Sequence, residues 1–156
     1  MITLRNLNSK DNNLFDKLIY DEGLNYKDFL KMGWSVNQIN KQLTKGANCS
    51  FGAFNNNSLT SFILGDLFDI EGILEYEILL IYVCRNLRQK GLGKTLIKEI
   101  KKKNNSLKKI YLEVSSKNLE GISFYKKMNF KKIYIRKNYF LFQNKRVDGF
   151  AMSKYF

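Results

Sequence analysis

The spacing of apolar and polar residues changes period several times along the chain, and each change marks a predicted element. Ile2-Thr-Leu-Arg-Asn alternates, which predicts a first strand. Ser9 reads as a helix N-cap, and Leu14, Phe15, Leu18 and Ile19 follow it at helical spacing. A second short helix is expected after Ser35, with Val36, Ile39 and Leu43 on one face. Residues 49–54 and 59–68 read as a hairpin across Asn55-Asn56-Asn57. Residues 74–84 form a long apolar run, as expected of a central strand covered on both sides. Gly91-Leu-Gly-Lys-Thr-Leu-Ile-Lys-Glu-Ile then opens a helix with Leu92, Leu96, Ile97 and Ile100 inward. Residues 110–114 are the next strand, and 119–128 a helix carrying Ile122, Phe124, Tyr125 and Met128. Residues 130–136 and 139–154 fit two final strands, with Asn144-Lys-Arg as a loop. The order is strand, two helices, three strands, helix, strand, helix, two strands, a mixed α+β layer fold. Neither a repeat nor a linker interrupts it, so residues 1–156 are expected to be one domain.

Composition narrows the chemistry. Hydrophobic residues are 44% and aromatics 14% of the 156, which is globular rather than disordered. The start lacks a cationic leader and the longest apolar stretch is far short of about 20 residues, so neither signal peptide nor membrane span is expected. Cys49 and Cys84 cannot build a disulfide framework or a four-ligand metal site, and the chain has no histidine. No metal is therefore expected, His-based acid–base catalysis is excluded, and a cytoplasmic location is the default. The net charge of +13 invites an anionic partner, whereas Lys101-Lys102-Lys103, Lys126-Lys127 and Lys131-Lys132 read equally as solvated faces of a lysine-rich chain. The basic clusters lack a recognition motif, which argues against a nucleic-acid-binding module.

The strongest local signal is Arg88-Gln89-Lys90-Gly91-Leu92-Gly93-Lys94, between a buried strand and an amphipathic helix. Glycines let a backbone approach a ligand closely, and first-turn N–H groups point at an anion. The helix dipole and Arg88, Lys90 and Lys94 favour a pyrophosphate there. A P-loop needs a glycine earlier in the run, and a dinucleotide fingerprint needs a third glycine where the chain has Leu96. What remains is the Arg/Gln-x-x-Gly-x-Gly/Ala turn, matched as Arg88-x-x-Gly91-x-Gly93.

With that turn the chain resembles the GCN5-related N-acetyltransferase (GNAT) superfamily, and the likeness continues along most of the sequence. Glu77-Ile-Leu-Leu-Ile-Tyr-Val83 looks like the strand before the turn in that superfamily. Leu112-Glu-Val, Asn118, Phe124-Tyr125 and Asn129-Phe130 resemble a stretch of the ribosomal-protein alanine N-acetyltransferases. Trp34-Ser35, Arg136-Lys-Asn-Tyr139-Phe140 and Asp148-Gly-Phe-Ala-Met152 resemble further segments of that subfamily. The resemblance implies a mostly antiparallel seven-stranded sheet with about four helices on both faces. It implies acetyl-CoA as cosubstrate, an amine acceptor such as the N-terminal alanine of a ribosomal protein, and a monomer or weak dimer. Departures are Ser115 for the subfamily's arginine, Asn129 for its glycine, and Gly33 and Arg85 for two prolines. Asparagine tolerates left-handed backbone, which makes the Asn129 change mild. Ser115 bears on the acceptor site and puts peptide specificity in question.

An amine attacks a thioester only when neutral, and amines are largely protonated at neutral pH. A base must take that proton, a donor must polarise the carbonyl, and the departing thiolate benefits from an acid. By the resemblance, Tyr125 is the general acid beside the CoA sulfur and Glu113 the base, acting through water. A carboxylate in the otherwise apolar Ile110-Tyr-Leu-Glu-Val run is costly unless paired or functional. Glu77 on the neighbouring strand is the rival base, and also a candidate for the acceptor side. The resemblance brings Ile81, Val83 and residues 88–94 to the cofactor, Asn118 to its pantetheine arm, and Trp34 and Tyr139 to the acceptor channel. Core packing accounts equally for Trp34 and Tyr139, and an ordinary N-cap for Asn118. Cys84 reads as a buried structural thiol, so the expected route is direct transfer in a ternary complex. A free small-molecule amine is the alternative acceptor, and the positive charge opposes a polycationic one.

Overall fold

The structure, a computed structural model, describes residues 1–20 and 24–156. Its elements run β1 (Ile2–Leu7), α1 (Asn12–Tyr20), α2 (Leu24–Met32), α3 (Val36–Thr44), β2 (Ser50–Asn55), β3 (Ser58–Ile70) and β4 (Ile73–Val83). They continue as α4 (Leu92–Lys103), β5 (Leu107–Ser115), α5 (Leu119–Lys127), β6 (Lys131–Phe142) and β7 (Lys145–Tyr155). The strands form one seven-stranded sheet of order β1-β2-β3-β4-β5-β7-β6. Its pairings are antiparallel at β1·β2, β2·β3, β5·β7 and β6·β7 and parallel at β4·β5, the mixed, mostly antiparallel architecture expected. The described residues hold five α-helices rather than about four.

The additional helix is α2. Its inward residues include Asn25 and Asp28, both buried, beside Phe29, so its buried side lacks the apolar stripe by which a helix is recognised. At the start of α1 the cap is Asn8 rather than Ser9: Asn8 Oδ1 accepts from Lys10 N at 3.0 Å, and Asp11 Oδ2 accepts from Asn8 N at 2.9 Å. This reciprocal pair closes a short 3-10 turn, Ser9–Asp11, ahead of α1. α3 begins as expected, with Ser35 and Gln38 exchanging a capping box.

Two-residue turns with left-handed backbone at both positions join three strand pairs: Asn56-Asn57, Glu71-Gly72 and Gln143-Asn144. Such turns match the natural twist of a hairpin, and asparagine and glycine enter them readily. The last one shifts the expected loop at residues 144–146 back by one residue. The expected break between residues 136 and 139 is instead a bulge inside β6, where Asn138 has φ +50° and its N–H donates to Asp148 Oδ1 at 3.0 Å.

The chain divides into two compact units. The first comprises Met1–Leu67 with Leu80–Asn105. Its core gathers Leu7, Phe15, Leu18, Phe29, Ile39, Leu43, Phe54, Phe62, Leu80 and Tyr82. Phe15 meets Phe62 edge-on at 5.0 Å between ring centres, and Phe29 lies 4.7 Å from Tyr82. α4 buries Leu96, Ile97 and Ile100 and packs on β2.

The second unit comprises Phe68–Leu79 with Ser106–Phe156. Along β5 the alternation is strict: Ile110, Leu112 and Val114 are buried, while Lys109, Tyr111, Glu113 and Ser115 on the other side are only partly covered. α5 buries Ile122 and Tyr125, with Met128 at its C-cap. Asn129 then turns left-handed at φ +66°, and Lys154 Nζ donates to the Met128 carbonyl at 3.0 Å, satisfying a helix-end acceptor.

Candidate active site

In the first unit, β4 ends at Val83, and a 3-10 turn at Arg85–Leu87 leads to Arg88 and the glycine turn. Gln89 and Gly91 are left-handed, at φ +61° and +83°, a kind of backbone in which successive N–H groups converge on an anion. Gly91 is the N-cap of α4 and supplies no side-chain acceptor. The helix's first N–H groups are thereby left to an incoming anion, with the positive end of the helix dipole behind them. Lys90 and Lys94 are exposed beside the turn, and Leu92 and Gly93 are half-buried.

Arg88 does not present its charge in that way. Its Nε donates to the Val83 carbonyl at 2.9 Å, and its Nη2 donates to Asp28 Oδ2 at 2.8 Å. Asp28 also takes a fork from Arg85, with Nε at 3.0 Å from each carboxylate oxygen and Nη2 at 2.6 Å from Oδ1. The Tyr82 hydroxyl lies 2.9 Å from Asp28 Oδ2 and 2.7 Å from Asn25 Oδ1. Burial pushes the Asp28 carboxyl up, but the bonds from Arg85 and Tyr82 and the two arginine charges outweigh it and hold it below the usual carboxylate range. Burial, then the adjacent Asp28, push the Tyr82 phenol up.

In the second unit, Tyr125 is 7% exposed, edge-on to Phe130 at 5.5 Å between ring centres. Burial alone pushes its phenol up, and no described residue hydrogen-bonds its hydroxyl. A neutral hydroxyl without a protein partner is available to a ligand. Asn118 caps α5, its Oδ1 accepting from Gly121 N at 2.9 Å.

Glu113 sits on a polar face of the same unit. Its Oε1 accepts from Arg136 Nη1 at 2.7 Å and from the Tyr111 hydroxyl at 2.6 Å, and Tyr111 Oη lies 2.7 Å from Tyr134 Oη. Both bonds fall on Oε1, and no described residue bonds Oε2. β7 lies between β5 and β6, and at these rungs it carries Gly149 and Ala151, whose small size lets the long side chains meet across it. The row from Ser115 runs through Gly149 to Arg136, so an arginine on the far strand serves Glu113 although Ser115 replaces the nearer one. Glu77 is the partner of Tyr111 in the parallel β4·β5 register and shares this face, so both candidate bases lie on it.

Of the remaining candidates, Ile81 and Val83 are half-buried at the end of β4 in the first unit. Trp34 packs against that unit's core with Met32, Val36 and Leu87. Tyr139 is 42% exposed in the second unit, with the Arg136 guanidinium 4.0 Å from its ring centre. Sequence reasoning missed Asp28, Tyr82 and Arg85, and the tyrosine pair Tyr111–Tyr134. The visible hint was Arg85 standing where the resemblance expects proline.

A mixed sheet of this strand order, with a glycine turn between its central strand and the next helix, is the arrangement that the resemblance implies. The profile of the acetyltransferase (GNAT) family matches residues 15–130, well over half of the chain. The chain belongs to that family and is an acetyl-CoA N-acetyltransferase. Its fold is similar to that of the ribosomal-protein-S18-alanine N-acetyltransferase of Escherichia coli, with TM-score 0.77 and 20% identity over 98% of this chain and 92% of that one. It is similar to Arabidopsis thaliana NAA60 in complex with acetyl-CoA, with TM-score 0.78 and 18% identity over 99% and 98%. It is also similar to the PaiA N-acetyltransferase of Thermoplasma acidophilum in complex with coenzyme A, with TM-score 0.71 and 21% identity over 100% and 99%. At these identities the likenesses carry the fold. Among the described residues, no helix is long and apolar enough to cross a membrane.

Proposed function

We propose that residues 1–156 act as one catalytic domain that transfers acetyl from acetyl-CoA directly to the N-terminal alanine of a ribosomal protein in the cytoplasm. The observation that carries the catalytic part is that the same unit holds a carboxylate fixed by an arginine, Glu113, and a buried phenol, Tyr125, that no described residue hydrogen-bonds. The pyrophosphate is assigned to the N–H groups of residues 89–94, flanked by Lys90 and Lys94, with Ile81 and Val83 along the pantetheine and Asn118 donating to it through its amide.

Glu113 takes the ammonium proton through a water on Oε2 while Arg136 and Tyr111 hold Oε1. The neutral amine then attacks the thioester carbonyl, the C–N bond forms, the C–S bond breaks, and the nitrogen's second proton leaves to solvent as the amide forms. The Tyr125 hydroxyl stabilises the departing thiolate. With its phenol pushed up by burial it stays protonated at neutral pH, so the donor is always loaded. A thiol of pKa about 8.5 is the stronger acid, so Tyr125 shares its proton in a hydrogen bond and solvent completes protonation.

The choice of acceptor draws support from the likeness of the closing strands and from the fold shared with the Escherichia coli ribosomal-protein-S18-alanine N-acetyltransferase. Ser115, the departure nearest Glu113, favours a small-molecule amine as second reading. Purified protein, acetyl-CoA and two peptides separate these: one with a free N-terminal alanine and no lysine, one blocked and with one internal lysine. Product mass on the first alone supports the proposal. Acetyl-CoA binding without acetylation of either moves the acceptor to a small amine.

A further inference from the structure

We infer that Asp28 on α2 is a positioning residue for the cofactor turn, and that α2 and the acetyl-CoA pyrophosphate bind cooperatively through it. The inference rests on the assignment of the pyrophosphate to residues 89–94. Arg88, the first residue of that turn, is fastened three ways: to the Val83 carbonyl, to Asp28, and with its guanidinium 5.5 Å above the Tyr82 ring. Arg85, three residues earlier, is forked onto the same carboxylate. One buried anion thus fixes both ends of the segment that leads from β4 into the turn.

The clamp also holds the helix that carries it. Asn25, 1% exposed, donates through Nδ2 to the Leu18 carbonyl at 2.9 Å and accepts from Tyr82, tying α2 to α1 and β4. α2 buries Phe29, with Met32 packed against the same core, and this polar network adds a second anchor, so whatever immobilises Arg88 stabilises α2 in turn. Linkage makes the effect reciprocal: if α2 orders the turn, cofactor on the turn orders α2.

The arrangement gives the test a sign. If Arg88 contacted the pyrophosphate itself, Asp28 would compete with the cofactor, and Asp28→Asn would free a cation and tighten binding. If Asp28 positions the turn, Asp28→Asn weakens acetyl-CoA binding although it makes the protein more positive. Calorimetric titration with acetyl-CoA is expected to show weakening on the order of tenfold, inside the range usual for coupled sites. Arg88→Lys, which keeps the charge and loses the simultaneous hold on the Val83 carbonyl and Asp28, should weaken binding similarly, and the double variant should be no weaker than either single one.

Hydrogen exchange supplies the reciprocal readout. Acetyl-CoA should slow exchange across residues 25–32 in the unaltered protein and not in Asp28→Asn. Binding that is unchanged or tighter in Asp28→Asn, or additive loss in the double variant, overturns the inference. If Asp28→Asn does not fold, Arg88→Lys decides by the same criterion. Gly91→Ala, strained at φ +83°, separates the two levels. Unchanged affinity there removes the pyrophosphate from the turn altogether, whereas weakened affinity with an indifferent Asp28 removes only the clamp.

Discussion

Gly121→Ala separates the two roles of Asn118. A Cβ at position 121 would stand 2.5 Å from Asn118 Nδ2 and 2.9 Å from its Cγ, well inside contact distance. The obstruction is a short exposed side chain, so Asn118 yields by rotating away and gives up its 2.9 Å bond to Gly121 N. Losing a helix cap costs about 1 kcal/mol. Replacing glycine by alanine inside the helix returns roughly 0.5–1 kcal/mol. The two terms nearly cancel, so the urea midpoint should stay close to that of the unaltered protein. Asn118→Ala loses the cap without the compensation and should be about 1 kcal/mol less stable, and adding Gly121→Ala to it should restore most of that. Affinity for acetyl-CoA behaves differently. If the Asn118 amide holds the pantetheine, each single variant loses one hydrogen bond, about 1 kcal/mol or roughly fivefold in Kd. Denaturation and calorimetry on the same three variants check both halves. Unchanged affinity in all three would reduce Asn118 to a cap, and a Gly121→Ala protein no more stable than Asn118→Ala would place the clash on backbone.

Tyr125→Phe should lower kcat about a hundredfold while leaving acetyl-CoA affinity unchanged. Because no described residue hydrogen-bonds the hydroxyl, the thermal midpoint should not fall, and normal turnover would sink the assignment. Glu113→Gln and Glu77→Gln should part in their pH–rate profiles: the true base loses the acidic limb, the other keeps it. Stability should decline in acid. Asp28 and Asp11 are each pushed up by burial and pulled further down by arginine partners, to below their ordinary value of 3.8. A depressed folded value means stabilisation fully present above that ordinary value and lost as pH falls through the lower one. Urea midpoints between pH 6 and pH 3 should fall from about pH 4 downward. The decline should flatten in a double Asp11→Asn, Asp28→Asn variant, and an equally steep decline there would refute the attribution.

Elements whose buried side is apolar were legible from period alone: α1, α3, α4, α5 and β1 to β5 appear where the pattern places them, whereas β6 runs through the break expected between residues 136 and 139. α2 escaped because two of its inward residues are Asn25 and Asp28, which bury by pairing rather than by transfer from water. The glycine turn was legible because glycine at φ +83° has few substitutes, and Glu113 because a carboxylate in an apolar run requires a reason. Its partners were not. Arg136 and Tyr134 reach Glu113 and Tyr111 through a register set by two bulges in β6, and no local pattern encodes where a bulge falls.

The departures from the family pattern complete that account. Arg85 in place of proline would leave a guanidinium beside a buried tyrosine, yet Asp28, 57 positions away in sequence, takes it in a fork. Ser115 stands where the resemblance expects arginine, and Glu113 takes its cation from Arg136, which arrives over Gly149 in the same row. In both cases the charge balance of the site is kept by a residue distant in sequence, because a half-buried charge demands a partner and is indifferent to where in the chain the partner comes from. A single sequence displays the departure and hides the compensation. The compensations fall beside the glycine turn and at Glu113, the proposed seats of the pyrophosphate and of the base.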